Sequence, residues 1–418
     1  MSNRQFEIPT SNVDRDVVNG MSVPRRSVIR RMVGLAALVG NVAMGADDPR
    51  RGSSLARGSQ NPVESARQPF RAYQLAQHDS VNAIAFSPDG ATLAVGCGRM
   101  ADRTRYLGGI VNIWDLATRK QVGQLKGHKA SCESLAISPD GKTLASGGDS
   151  RDILMWNLAD RRLVASPGGQ VSTYTNERPR VRRLCFSPDG MELASLDDLR
   201  QVRRTDISGN GREMAPYRMK LRSEIVDIVY SLKGSLEVLA CETPPKFENI
   251  DQGLLTDNID LGVWCPPGNR PIWARRQPYG CIAGVFSTDG TQLAVLARPQ
   301  HQHGFHPELG DQGKPEVPIL NAKTGQLLAR WVSPLPLRCL RFSPDGTRLA
   351  VSSSNNGPEK QIFIALLDAK TGDLLGSVDT PHGPSCMEFS PDGRYLATNE
   401  NSETVTIHKV ADIIDINP

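Results

Sequence analysis

The chain is poor in aromatic residues, which make up 5% of its 418 positions. No aromatic stripe runs beside a basic one, so a surface that stacks nucleotide bases is not expected. No excess of either charge stands out, with 49 basic against 45 acidic side chains. The imbalance sits in the first 70 residues, which hold ten Arg, no Lys and six acids; the remainder holds 39 of each sign. The part able to fold therefore has no global field for nucleic acid or an anionic membrane. The eight cysteines show no Cys-x-x-Cys spacing and so no zinc knuckle or redox pair. A nucleophile elbow, phosphate loop, metalloprotease helix and dinucleotide fingerprint are all missing. No catalytic residue and no cofactor is expected.

What is plentiful is Gly and Pro, 38 and 29 residues, as suits many short strands joined by tight turns. The N-terminus is set apart. Pro24-Arg25-Arg26-Ser27-Val28-Ile29-Arg30 precedes a weakly apolar run, Met32 to Ala46, with small residues at Ala43, Gly45 and Ala46. That order predicts a signal peptide over 1–46, and the run is too short for a membrane span. The arginine pair Arg25 and Arg26 resembles a bacterial twin-arginine signal, which implies a periplasmic or secreted protein. The alternative is a cytoplasmic chain with a disordered basic tail, and Met21 is a second possible start. Residues 47–69, rich in Arg, Ser, Gly, Asn and Pro, read as a flexible linker.

A five-residue unit then recurs. It is seen as Phe86-Ser-Pro-Asp-Gly90 and again over 137–141, 186–190, 342–346 and 389–393, with degenerate copies over 230–234 and 286–290. The seven copies are spaced 51, 49, 44, 56, 56 and 47 residues apart. Pro presets a turn dihedral, Asp bonds the backbone ahead and Gly takes a positive φ. Extended runs flank each unit, so each marks a hairpin. A third strand follows, ending in Trp114, Trp156 or Trp264 in three copies, and a short fourth leads to the next copy. Four strands repeated seven times predict an all-β chain, a seven-bladed β-propeller over 70–411, with residues 412–418 as a tail.

The Gly127-His128, Ser-Pro-Asp-Gly and Trp114-Asp115 landmarks resemble WD-repeat propellers. The resemblance implies a buried hydrogen-bonded set in blade 2. His128, Ser146 and Trp156 match by position, with Asp152 (or Asp149) as the acid. His78 and His382 hold similar places before blades 1 and 7.

The chain ends after the third strand of the seventh copy, while a spare strand, Phe70 to Leu75, precedes the first. The N-terminal strand is therefore expected to complete the last blade, which removes two sheet edges. From turn unit to third-strand end the intervals are 28, 19, 19, 34, 34, 25 and 19 residues. The excess in blades 1, 4, 5 and 6 lies between the second and third strands, so all of it belongs on one face. Long loops on a rigid scaffold are where binding resides, and 241–260 with 298–318 in adjacent blades 4 and 5 form the leading candidate surface.

This reading gives a monomeric, non-catalytic scaffold for a protein or peptide, without nucleic acid and without a transmembrane span in the mature chain. The alternative is a hydrolase or lactonase with a metal at the central mouth, for which inner strands offer only Glu133, Asp227 and Glu388. His301, His303 and His306 are weak metal candidates in a Gly- and Pro-containing stretch. Arg182, Arg183, Arg203 and Arg204 are candidates to meet an acidic partner. Cys132, Cys185, Cys281, Cys339 and Cys386 lie one, three or five residues before their turn units. Simple alternation would place all five on one face of the innermost strands.

Overall fold

The computed structural model describes residues 73–77, 79–102, 105–149, 152–166, 180–199, 201–208, 217–218, 224–231, 234–241, 259–265, 271–277, 279–299, 314–354, 362–401 and 403–414. The export segment with Arg25 and Arg26, His78, and the cluster His301, His303 and His306 lie outside them. Seven four-stranded antiparallel sheets form the domain.

From the ring axis outward, blade 1 is β2 (Ser80–Phe86), β3 (Thr92–Asp102), β4 (Arg105–Asp115) and β5 (Lys120–His128). Blade 2 is β6 (Cys132–Ile137), β7 (Thr143–Gly148), β8 (Leu154–Asn157) and β9 (Leu163–Ala165). Blade 3 is β10 (Val181–Phe186), β11 (Glu192–Asp197), β12 (Gln201–Asp206) and β13 (Tyr217–Arg218). Blade 4 is β14 (Glu224–Tyr230), β15 (Leu236–Cys241), β16 (Ile259–Trp264) and β17 (Pro271–Gln277). Blade 5 is β18 (Tyr279–Phe286), β19 (Gln292–Pro299), β20 (Glu316–Asn321) and β21 (Leu327–Val332). Blade 6 is β22 (Leu337–Phe342), β23 (Arg348–Ser353), β24 (Phe363–Asp368) and β25 (Leu374–Asp379). Blade 7 is β26 (Met387–Phe389), β27 (Tyr395–Asn401) and β28 (Thr404–Lys409), and its outermost strand is β1 (Tyr73–Ala76).

The fold is thus a seven-bladed propeller closed by its N-terminal strand. Strand β1 pairs with β28 in the register Tyr73 to Ile407 and Ala76 to Thr404, and Gln77 N–H donates to Glu403 O at 2.7 Å. Each innermost strand touches the next, and β26 returns to β2.

The turn units explain why one short motif suffices to build this ring. In Phe86-Ser-Pro-Asp-Gly90, Gly90 N–H donates to Ser87 O at 2.8 Å. Ser87 Oγ donates to Asp89 Oδ1 at 2.5 Å and accepts from Thr92 N–H at 2.9 Å. Gly90 sits at φ 70°, a conformation open to Gly at little cost. The turns also touch one another. The place a Cβ on Gly90 would take is 3.7 Å from Pro391 Cδ, just as Gly141 meets Pro88 and Gly190 meets Pro139. The circle of turns closes across the same seam as the sheets.

Each blade buries its apolar alternation against the next. The cluster at the closing seam joins Leu75, Val405 and Ile407 of blade 7 to Val81, Leu93 and Trp114 of blade 1. Asn399 adds a polar clasp there, its Nδ2 donating to Val81 O at 3.1 Å.

Three sequence expectations need correction. The extra residues of blade 1 are not a loop, because β3 and β4 run on as a long hairpin pairing as far as Asp102 with Arg105. The expected tail, 412–418, is not simply a tail, because its first residues lie in α1 (Val410–Ile414), which packs the buried Ile413 into the core with Val378 and Leu366. It covers Gly376 of β25, where any β-carbon would strike Ile413 O. Nor do the five cysteines share a face. Six innermost strands carry a bulge near their start, as between Cys132 and Ser134 and between Cys281 and Ala283. An extra residue inverts the alternation there. Cys132 therefore packs back toward Ala94 and Val111 of blade 1, and Cys281 toward Leu239 of blade 4. Cys185, Cys339 and Cys386, beyond the bulge position, pack forward. Among the described residues seven cysteines, including these five, carry free thiols.

Candidate functional site

Antiparallel order puts the short turn units on one face and both the second-to-third-strand and blade-to-blade connections on the other. The latter is the loop face. Residues 242–258 join β15 to β16, and residues 300–315 join β19 to β20. Most of both stretches falls outside the described residues.

The described chemistry concentrates on the ring axis. Arg183 of blade 3 reaches Asp227 of blade 4, Nε to Oδ1 at 3.2 Å. Arg341 of blade 6 reaches Glu388 of blade 7, Nε to Oε2 at 3.0 Å, and also donates to Met387 O at 3.1 Å. These pairs feel each other across the ring. Asp227 is influenced by Arg341, two blades away, and Glu388 by Arg183. Non-adjacent blades meet only across the axis, so all four side chains line the channel. Arg341 and Glu388 keep 30% and 34% of their side-chain surface open, as expected for groups bordering water inside a wall of protein.

Burial pushes both Asp227 and Glu388 above the usual carboxylate range, against the pull of the two guanidiniums. The neighbouring Glu388 holds the Arg341 guanidinium in its charged form. Nearer the loop face, Arg180 pairs with Asp149, Nε to Oδ1 at 2.8 Å. Glu133, raised by burial and then by the adjoining Asp149, lies beside them. The three acids that the sequence offered for a metal-using mouth, Glu133, Asp227 and Glu388, each lie beside a guanidinium. Among the described residues no group of three or more His, Cys, Asp or Glu is placed to hold a metal.

The other basic candidates are dispersed. Arg204 Nε donates to Glu192 Oε2 at 3.0 Å, which also accepts from Tyr230 OH of blade 4 at 2.9 Å. Arg203 donates to Gln201 Oε1 at 3.2 Å, and Arg182 is exposed.

His128, the last residue of β5, has its Nε2 2.7 Å from Ser146 Oγ of blade 2, and Trp156 Nε1 donates to the same oxygen at 2.8 Å. Asp152 acts on the imidazole electrostatically, while His128 Nδ1 has no hydrogen-bond partner among the described residues. Asp149 serves Arg180 instead.

Sequence reading missed the counterpart in blade 7. Thr398 and His408 stand at the same offsets from their turn unit as Ser146 and Trp156. His408 Nε2 lies 3.2 Å from Thr398 Oγ1 and 2.9 Å from Glu400 Oε1. A nine- and nineteen-residue offset count would have found it. In blade 1, Gln77 holds the place of His128 and accepts from the buried Asn112 Nδ2 at 2.9 Å.

Residues 71–115 and 119–157 match the family described as WD domain, G-beta repeat. Blades 1 and 2 are thus similar to WD repeats. The curated relatives are similar over part of their length. Nuclear distribution protein PAC1 of Arthroderma otae is 32% identical over 137 residues, covering 31% of this chain and 28% of PAC1. Small ribosomal subunit protein RACK1 of Drosophila melanogaster is 35% identical over 83 residues, covering 20% of this chain and 24% of RACK1. The match thus spans about a quarter of either relative. Solved structures agree over the ring. The Cps50 (Swd1) β-propeller domain of Myceliophteria thermophila superposes with TM-score 0.60 at 17% identity, covering 81% of this chain and 100% of that domain. A chain of the Mitotic Checkpoint Complex gives 0.59 at 15% identity, covering 89% of this chain and 99% of that one. At such identities the likeness is one of fold.

The blade 2 set carries a pH signature. Burial holds His128 down at about 4, with Asp152 opposing. The unfolded chain takes up this proton near pH 6.5, while the folded ring refuses it until about 4. Protons bind the unfolded state more in that window, so stability falls as pH drops through it. The expected loss is about 2–3 kcal/mol between pH 6.5 and 4. Urea titrations at pH 7, 5.5 and 4.5 should give a shallower pH slope for His128→Gln than for the parent. Parallel slopes would show that His128 titrates normally in the fold.

Proposed function

We propose that this chain is a non-catalytic WD-repeat platform that holds a protein or peptide partner on its loop face, with blades 4 and 5 supplying the contact. The observation that carries this reading is the closed ring, in which neighbouring blades each send a long connection, 242–258 and 300–315, to the same face. A rigid platform loses little entropy on binding. Two further points support it. The axial carboxylates are paired with arginines, which leaves little for the hydrolase or lactonase alternative. The RACK1 relative is named as a small ribosomal subunit protein and a structural neighbour is titled as part of the Mitotic Checkpoint Complex, so similar rings sit within assemblies. We also propose that the protein acts as a monomer in the periplasm or outside the cell, delivered by the Arg25-Arg26 signal. No helix among the described residues is long and apolar enough to cross a membrane.

Crosslinking in the native host tests this reading. The full chain should give a defined crosslinked partner, and replacing 242–258 and 300–315 by short turns should remove most of it while the ring still melts cooperatively. Equal crosslinking by both forms would move the contact away from blades 4 and 5. Recovery of cytoplasmic neighbours alone would overturn the export assignment.

A further inference from the structure

The turn face has a feature of its own where β1 enters the ring. At the turn-side end of the seam between blades 7 and 1 lies a cavity of about 490 Å³, within the usual range of small binding sites. Its walls include Tyr73, Phe86, Leu116, Arg119, Tyr395 and Ile407.

Two other seams are bridged at the corresponding place. The residue six past the start of the turn unit is Glu192 in blade 3, which accepts from Tyr230 OH of blade 4 at 2.9 Å. In blade 5 it is Gln292, whose Nε2 donates to Gly346 O of blade 6 at 3.4 Å. In blade 7 it is Tyr395, whose phenol makes no hydrogen bond to the described residues, and the seam stays open. The Tyr73 phenol likewise makes none, although it lies close enough to Tyr395 for the two to interact electrostatically. Arg119 stacks its guanidinium 4.5 Å from the Tyr73 ring centroid. The two carboxylates at the edge already serve their own turns: Asp89 accepts from Ser87 and Ala91, and Asp392 from Ser390 and Arg394. What the cavity has to offer is therefore aromatic faces and hydrogen-bond donors.

We propose that this cavity is a docking site for a proline-rich segment of a partner protein in the extended polyproline conformation. Such a segment has no N–H at its prolines and presents its carbonyls outward as acceptors. Those carbonyls match the donors Tyr73 OH, Tyr395 OH and the Arg119 guanidinium. Its pyrrolidine rings pack on the faces of Tyr73, Phe86 and Tyr395, the mode by which aromatic-lined grooves take such segments. The segment is stiff before it binds, so little ordering entropy is lost. Asp89 and Asp392 at the edge argue against an anionic small molecule. The site lies on the face opposite the long connections and stands or falls independently of the loop-face reading.

The test uses the full chain and two fluorescein-labelled probes, decaproline and a ten-residue Gly-Ser repeat, read by fluorescence anisotropy. Decaproline should bind saturably and the Gly-Ser peptide should not. Tyr395→Phe keeps the ring and removes one donor, so binding should weaken about three- to tenfold with the melting temperature unchanged. Adding Tyr73→Phe should weaken it further. Equal binding of the two probes, or decaproline binding untouched by the double Tyr→Phe change, would overturn the proposal. So would tyrosine ring NMR shifts caused by benzoate when decaproline causes none.

Discussion

A chain lacking residues 70–78 should lose its cooperative thermal transition. Strand β1 contributes Leu75, 1% exposed in the cluster that joins blades 7 and 1. Its removal leaves a Leu-sized void beside Val405, Ile407 and Trp114, a change that costs about 3–5 kcal/mol in closed cores. The ladder from Tyr73–Ile407 to Ala76–Thr404, the Gln77–Glu403 bond and the Gln77–Asn112 bond add about 1 kcal/mol for each bond lost. The total, on the order of 8 kcal/mol, rivals the 5–15 kcal/mol that holds a typical domain folded. It also bares the edge of β28, inviting association. Calorimetry should show a broad, weak transition, and hydrogen exchange should quicken in β27 and β28 first. A truncated chain that melts as sharply as the parent and at the same temperature would mean that the ring closes without its clasp.

The number of blades and the identity of the closing strand were readable because both follow from local chemistry. A Ser-Pro-Asp-Gly turn specifies its own hydrogen bonds, and counting turns counts hairpins. The edge rule then assigns the orphan strand Phe70 to Leu75 to the sheet that lacks one. What could not be read depends on geometry beyond a single hairpin. The bulge after Cys132 and Cys281 inverts their facing, and nothing in the local residue pattern marks it. The extra residues of blade 1 look like those of blade 4 when only spacing is counted, yet they prolong a hairpin. The axial pairs Arg183–Asp227 and Arg341–Glu388 join neighbouring blades through residues 44 and 47 positions apart. Only closure of the ring brings the two pairs within reach of each other. The Arg182-Arg183 and Arg203-Arg204 doublets, alike as charge runs, separate by register: Arg183 faces the axis and Arg204 a seam between blades.

Blade 7 yields the second large effect, because its polar set is sealed more completely than the one in blade 2. The side chains of His408 and Glu400 are 0% and 1% exposed. Thr398 is equally buried. A carboxyl group so enclosed is held by what surrounds it, and the imidazole Nε2 at 2.9 Å is a principal contact. His408→Ala removes that contact and opens a cavity beside its cross-strand neighbour Leu396. Stability should fall by about 2–4 kcal/mol, from the cavity and from the buried polar group left without this partner. Glu400→Gln should cost less, since the amide keeps the shape of the carboxyl group and a polar atom within reach of His408 Nε2. The decisive quantity is the coupling. The double variant Glu400→Gln with His408→Ala should be less destabilised than the two single changes together, by about 1–3 kcal/mol, as contacting polar partners are. Urea unfolding of the four proteins completes the cycle. Strict additivity would show that the two side chains are neighbours without being partners, and that blade 7 is held by its apolar layers and by β1 alone.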